Sequence, residues 1–254
     1  MARKVALYVD GFNFYYGVRN HFKQDEARRG YSLSGLCWCD FRALVERHFL
    51  KNGERLETIR YFTAPVTPQV ETSRIPGERD RYELWLQAAR KTPGLDLVFG
   101  FHKPHGGGKA RDEKLTDVNL AVELLLDGMN GVYDQAYVLS GDADQIPAVF
   151  AAALRLGKPL RVCALLPPAQ DAEDWKSRYL HYVQDLMARV EFPHPEPHQI
   201  DVGVLTERQL ANSLLPYQMG QVGCPAYWRL PGKYLDGKCK PEHRPDRPVD
   251  RLGV

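Results

Sequence analysis

The chain has 254 residues and a mass of 28.9 kDa; 44% of its residues are hydrophobic and 26% are charged, a balance that excludes a disordered or fibrous protein and leaves enough apolar side chain for a sizeable core. Lys and Arg number 34 against 32 Asp and Glu, a net charge of +2, so any basic footprint for nucleic acid has to be local. No apolar run reaches the roughly 18 residues of a membrane span, and five cysteines, an odd number, do not build a disulfide scaffold, which points to a reducing cytoplasm and no membrane partner.

The first element is a strand over Lys4–Val9. Its apolar run, Val5 to Val9, ends at Asp10 and is shorter than the roughly 7–15 residues of a signal-peptide core. Residues 30–40 are irregular and aromatic, and a helix is expected over 40–51. Further strands are expected at Leu56–Phe62, Leu95–Phe101, Gln135–Leu139 and Leu160–Leu166, each rich in Val, Leu, Ile, Tyr or Phe and bounded by Gly, Pro or Asp. Helices fall between them at 77–91, 116–130 and 144–156. The helix over 116–130 opens on Thr116 as its expected N-cap and repeats apolar residues at Val118, Ala121, Val122, Leu125 and Leu126.

Residues 102–114 read as a flexible loop around Gly106, Gly107 and Gly108. A helix near 173–189 packs on the sheet, and another is expected near 206–214. Strands alternating with helices give an α/β fold with a mostly parallel five-stranded sheet. The domain is expected to occupy 1–192. Prolines multiply from Pro193, so 193–254 reads as a C-terminal extension, Pro-rich and partly mobile.

The acidic residues fall at particular places. Asp10 follows the first strand directly, Asp142 and Asp144 follow the fourth, and Asp117 lies in the first turn of the helix before it. Ligands of an open parallel sheet bind outside the carboxyl ends of its strands, where the strand order reverses. In the order 3-2-1-4-5, strands one and four are neighbours there, and all four carboxylates converge. Such a cluster repels itself and takes up protons unless a divalent cation neutralises it. All-oxygen ligands select Mg²⁺ or Mn²⁺, and such an ion suits phosphodiester hydrolysis. Gly11 and Gly141 would let the backbone turn sharply, while Asn13 and Ser140 would bond a water ligand or the scissile phosphate. Taken singly, Asp10 and Asp144 read equally as helix caps, and Asp117 as a partner of the helix dipole.

Three segments resemble the motifs of NYN domains, which are PIN-like nucleases, in particular the LabA-like bacterial branch. They are Val9-Asp10-Gly11-Phe12-Asn13, the stretch Lys114-Leu115-Thr116-Asp117-Val118-Asn119-Leu120-Ala121, and Ser140-Gly141-Asp142-Ala143-Asp144. Tyr61-Phe62-Thr63-Ala64 also fits, and the resemblance runs over about residues 3–166. It implies a Rossmann-like three-layer sandwich and metal-dependent ribonuclease activity, with Asp10, Asp117, Asp142 and Asp144 as metal-site acids supported by Asn13 and Ser140. Gln145 departs from the family, which often has Phe there.

Phosphates need cations beside those acids. Lys103, Lys109, Arg111 and Lys114 surround the glycine loop and suit a single-stranded RNA backbone. Among Phe12, Phe14, Tyr15 and Tyr16, one is free to stack on a base while the rest serve the core. Glu123 points away from Asp117. The set Cys37, Cys39, Cys224, Cys239 and His243 holds enough zinc ligands, with a spacing that fits no familiar finger. The leading expectation is an endoribonuclease. A non-cleaving RNA-binding or regulatory module stands beside it, and a phosphatase using Asp10 as nucleophile comes last, since position 12 is Phe. A homodimer is left open.

Overall fold

The computed structural model describes residues 2–29, 33–65, 78–104, 111–156, 161–166, 171, 173–175, 177–178, 181, 185 and 200–229. In chain order its strands are β1 (Arg3–Asp10), β2 (Glu54–Thr63), β3 (Leu95–Phe99), β4 (Phe101–Pro104), β5 (Arg111–Lys114), β6 (Gln135–Leu139), β7 (Arg161–Leu166), β8 (Ile200–Val204), β9 (Gln218–Met219) and β10 (Val222–Gly223). The helices are α1 (Gly11–Arg29), α2 (Phe41–His48), α3 (Glu78–Ala89), α4 (Thr116–Met129), α5 (Ile146–Arg155) and α6 (Glu207–Ala211).

An α/β fold with a parallel central sheet results. The four strands β3-β2-β1-β6 stand in the expected order 3-2-1-4, with β7 and β8 beyond them. Every strand pair in this sheet is parallel. The expected count of five strands does not hold, because Ile200-Asp201-Val202-Gly203-Val204 adds β8 beside β7. Residues 200–229 are likewise not the peripheral extension expected from Pro193. Leu205, Leu210, Leu215, Val222, Cys224 and Trp228 join the main core. Their apolar side chains are spaced among prolines and polar residues, which hides them from a composition reading. Residues 230–254 lie outside the described residues.

Alternation along β1 divides the core in two. Val5, Leu7 and Val9 pack with Phe14 and Val18 of α1, Phe41 and Leu44 of α2 and Trp85 of α3. Ala6 and Tyr8 face the other way, onto Leu120 and Leu124 of α4 and Val149 and Ala152 of α5. The helices thus form one layer on each side of the sheet.

Several local expectations change. Helix α1 occupies a stretch where none was expected. Residues 102–114 are not all loop, since β4 and β5 pair as an antiparallel hairpin, with 105–110 outside the described residues. Thr116 is buried as the first helical residue and not the N-cap; Leu115 holds that position at φ 77°. Helix α4 sits with Leu120 and Leu124 inward, while Val118, Val122 and Leu126 are exposed. No helix among the described residues is long and apolar enough to cross a membrane.

Candidate functional site

The ladder between β1 and β6 ends with Val9 opposite Leu139, so the next residues of both strands, Asp10 and Ser140, emerge side by side at the carboxyl edge. The Ser140 hydroxyl donates to Asp10 Oδ2 at 2.8 Å, and the Asn13 backbone N–H donates to Oδ1 at 3.0 Å. Asn13 closes the seam from the helix side by accepting the Gly141 N–H on its Oδ1 at 2.8 Å. Ser140 Oγ also accepts the Asp142 N–H at 3.0 Å, and Asp142 Oδ1 accepts the Asp144 N–H at 2.9 Å. Residues 130 positions apart are therefore locked together by hydrogen bonds that use both oxygens of Asp10.

Asp10 is 6% exposed. Burial pushes its carboxyl up to about 6; the bonds from Asn13 and Ser140 oppose that rise, and the charges of Asp117 and Asp142 add to it. Those two acids therefore bear electrostatically on Asp10, as the topology leads one to expect. Asp117 sits in the first turn of α4, where its Oδ1 accepts from Gln145 Nε2 at 3.2 Å. Asp144 is exposed on the short 3₁₀ turn Ala143–Gln145. The capping roles are real as well: Asp10 caps α1 through the Asn13 N–H, and Asp142, not Asp144, caps the 3₁₀ turn.

Asn13 and Ser140 bond the site's own backbone and Asp10. Gly11 is needed for space: a Cβ there would lie 2.6 Å from the Phe62 carbonyl oxygen and 2.6 Å from the Tyr61 ring. Lys103, Arg111 and Lys114 contribute backbone to the β4–β5 hairpin, which runs straight into α4, and Lys109 lies outside the described residues. Glu123 stands 3.5 Å from Arg60, away from the pocket. Cys37, Cys39 and Cys224 are buried free thiols, whereas Cys239 and His243 lie outside the described residues.

Among the described residues, no three His, Cys, Asp or Glu side chains are drawn together closely enough to hold a metal ion. Hydrogen bonds hold the carboxylates of Asp10, Asp117 and Asp142 each to a different partner. Gln145 is the residue the sequence undervalued. It is 2% exposed, and its Oε1 is buried without a hydrogen-bond partner while its Nε2 holds Asp117. A buried acceptor of that kind calls for a water or a hydrated ligand. The all-oxygen donor set and this orphaned acceptor fit a hydrated Mg²⁺ or Mn²⁺, which keeps several waters and takes only one or two carboxylates directly.

Residues 4–182 match the NYN domain family, well over half of the chain. The chain belongs to the NYN domain family. This family lies in the PIN-like nuclease superfamily, and all four acids of this NYN domain fall within the matched residues. A curated relative is the 6-hydroxy-3-succinoylpyridine 3-monooxygenase HspA from Pseudomonas putida, 26% identical over 58% of this chain and 54% of that protein. The chain thus spans about half the length of that relative. Among solved structures, a protein of unknown function from Vibrio parahaemolyticus is similar with a TM-score of 0.47 and 15% identity, over 84% of this chain and 97% of that one.

Proposed function

We propose that this NYN domain is a divalent-metal-dependent ribonuclease that hydrolyses RNA phosphodiester bonds internally. The observation that carries the reading is Asp10: a buried carboxylate at the carboxyl edge of the sheet, bearing the charges of Asp117 and Asp142 and raised to about 6. A site that raises the free energy of its own anion is prepared for a cation. Asp10, Asp117, Asp142 and Asp144 would hold Mg²⁺ or Mn²⁺, directly or through water, and Gln145 Oε1 would accept from a water in that shell. When bound, the ion supplies Lewis acidity toward a phosphate oxygen and a more acidic water.

The chain's own residues do the rest. Ser140 and Asn13 fix the orientation of Asp10, and Gln145 fixes that of Asp117. Lys103, Lys109, Arg111 and Lys114 on and around the hairpin are assigned to the phosphates of a single-stranded RNA.

A second reading, an RNA-binding module that does not cleave, draws support from the capping work that Asp10 and Asp142 already perform. Monooxygenation, raised by the name of the Pseudomonas putida relative, has less behind it: that match covers about half of each protein, and acids at the carboxyl edge of the sheet suit phosphate chemistry better. The deciding experiment incubates structured and unstructured RNA with the full chain in Mg²⁺, Mn²⁺ or EDTA. Cleavage is expected with either metal and not with EDTA, and it should vanish in Asp10→Asn and Asp142→Asn. RNA retention without cleavage would favour the binding module, and undiminished cleavage by both variants would displace the assigned site.

A further inference from the structure

Eight large apolar side chains stand exposed on the described surface, and five of them belong to α4 and the residue that caps it. From Leu115 to Met129 every exposed residue is one of these: Leu115, Val118, Val122, Leu126 and Met129, between 46% and 69% exposed. A sixth, Phe101, is exposed on β4, where it pairs with Lys114. At about 100° per residue the four within α4 fall within an arc of roughly 80°, centred opposite the buried Leu120 and Leu124, and Leu115 immediately precedes the helix. Contiguous exposed apolar surface of this kind marks an interaction site.

The spacing suits one occupant, a second copy of this chain. Counted from Val122, the five stand at −7, −4, 0, +4 and +7, a palindrome. A two-fold interface requires this property, because each residue that meets a second must in turn be met by it. We propose that α4 is the centre of a homodimer, with the two copies of the helix antiparallel across a two-fold axis at Val122. Val122 then meets its own copy, Val118 meets Leu126 of the partner subunit, and Leu115 meets Met129 of the partner subunit.

The fourteen residues of α4 span about 21 Å, enough to cross the core of a standard interface of about 800 Å² per partner. One flank of the stripe carries the polar Asn119 and Glu123, and the other carries Ala121 and Leu125, which pack against the core beneath. Nucleic acid is a poor occupant, since the exposed stripe offers no cation, and a lipid surface is poor because the flanks are not basic. Asp117 lies outside the arc, so the acidic pocket stays open in the dimer.

The test is sedimentation or light scattering of the full chain over a roughly hundredfold concentration range, where mass action separates dimer from monomer. The parent chain should dimerise. Val122→Glu sets two carboxylates against each other at the axis and should raise the dissociation constant at least about tenfold, with the circular-dichroism melt unchanged. Met129→Lys, at the most exposed position of the stripe, repeats the test should Val122→Glu fail to fold. Val118→Lys and Leu126→Glu should each weaken the dimer alone and recover it when mixed, because these two positions face each other. A parent chain that stays monomeric, a dimer indifferent to both Val122→Glu and Met129→Lys, or a mixture that does not recover would each overturn the proposal.

Discussion

Asp10 has an ordinary carboxyl value of 3.8 and stands at about 6 in the fold, chiefly through burial. The folded chain therefore keeps this proton at pH values where the unfolded chain has lost it. The stability that Asp10 contributes is whole below about pH 4 and is lost as the pH rises through about 6. Two units correspond to roughly 3 kcal/mol at about 1.4 kcal/mol each. Asp10→Asn removes the charge but also one of the two oxygens that accept from Asn13 and Ser140. Relative to the parent it should therefore gain up to about 3 kcal/mol between pH 4 and pH 7, starting from a small deficit at pH 4. Urea unfolding at several pH values measures the change. A difference that stays constant from pH 4 to pH 7 would mean that the pocket does not penalise this carboxylate.

At the scale of elements, α4 is fastened to the sheet by a buried ion pair. Arg60 of β2 donates from Nε to Asp127 Oδ2 at 2.6 Å and from Nη2 to Oδ1 at 2.8 Å, and the Tyr8 hydroxyl of β1 adds a bond to Oδ2 at 2.7 Å. Asp127 is 5% exposed. Asp127→Ala strands the Tyr8 hydroxyl and leaves Arg60, whose side chain is 22% exposed, with Glu123 at 3.5 Å and Asp96 at 3.9 Å; it should cost about 1–3 kcal/mol in denaturant unfolding. A loss below about 1 kcal/mol would show that the pair merely balances its desolvation. The same elements explain what was legible. Strands β1 and β6 are buried on both faces, so they read as unbroken apolar runs, and their ends placed Asp10 and Ser140 together. Helix α1 stayed hidden because Phe12, Phe14, Tyr15 and Tyr16 crowd its start without a clear 3.6-residue period. In α4 the repeat of Val118, Val122 and Leu126 was visible, but Leu120 and Leu124 repeat as well. With apolar residues on two opposite faces, the helix does not announce which of them meets the sheet.

For the molecule as a whole, the boundary expected at residue 192 cuts through the fold. Ending the chain there removes β8 together with Leu205, Leu210, Leu215 and Trp228 of the core, and it uncovers Val202's neighbours Ile146 and Trp175. Such a truncation should lose the cooperative unfolding and near-ultraviolet dichroism that the full chain shows. Proline-rich composition concealed this because β8 is only five residues long and includes Asp201 and Gly203.

Strand β1 passes into α1 without one intervening residue: Asp10 ends the first and Gly11 begins the second. An inserted or deleted residue at that seam would rotate the helix by about 100° and shift it by about 1.5 Å along its axis. Phe14 and Val18 would swing away from the core, and Asn13 would miss Gly141. Length variation among sequences of this kind should therefore gather in the hairpin tip between β4 and β5 and avoid positions 9 to 14.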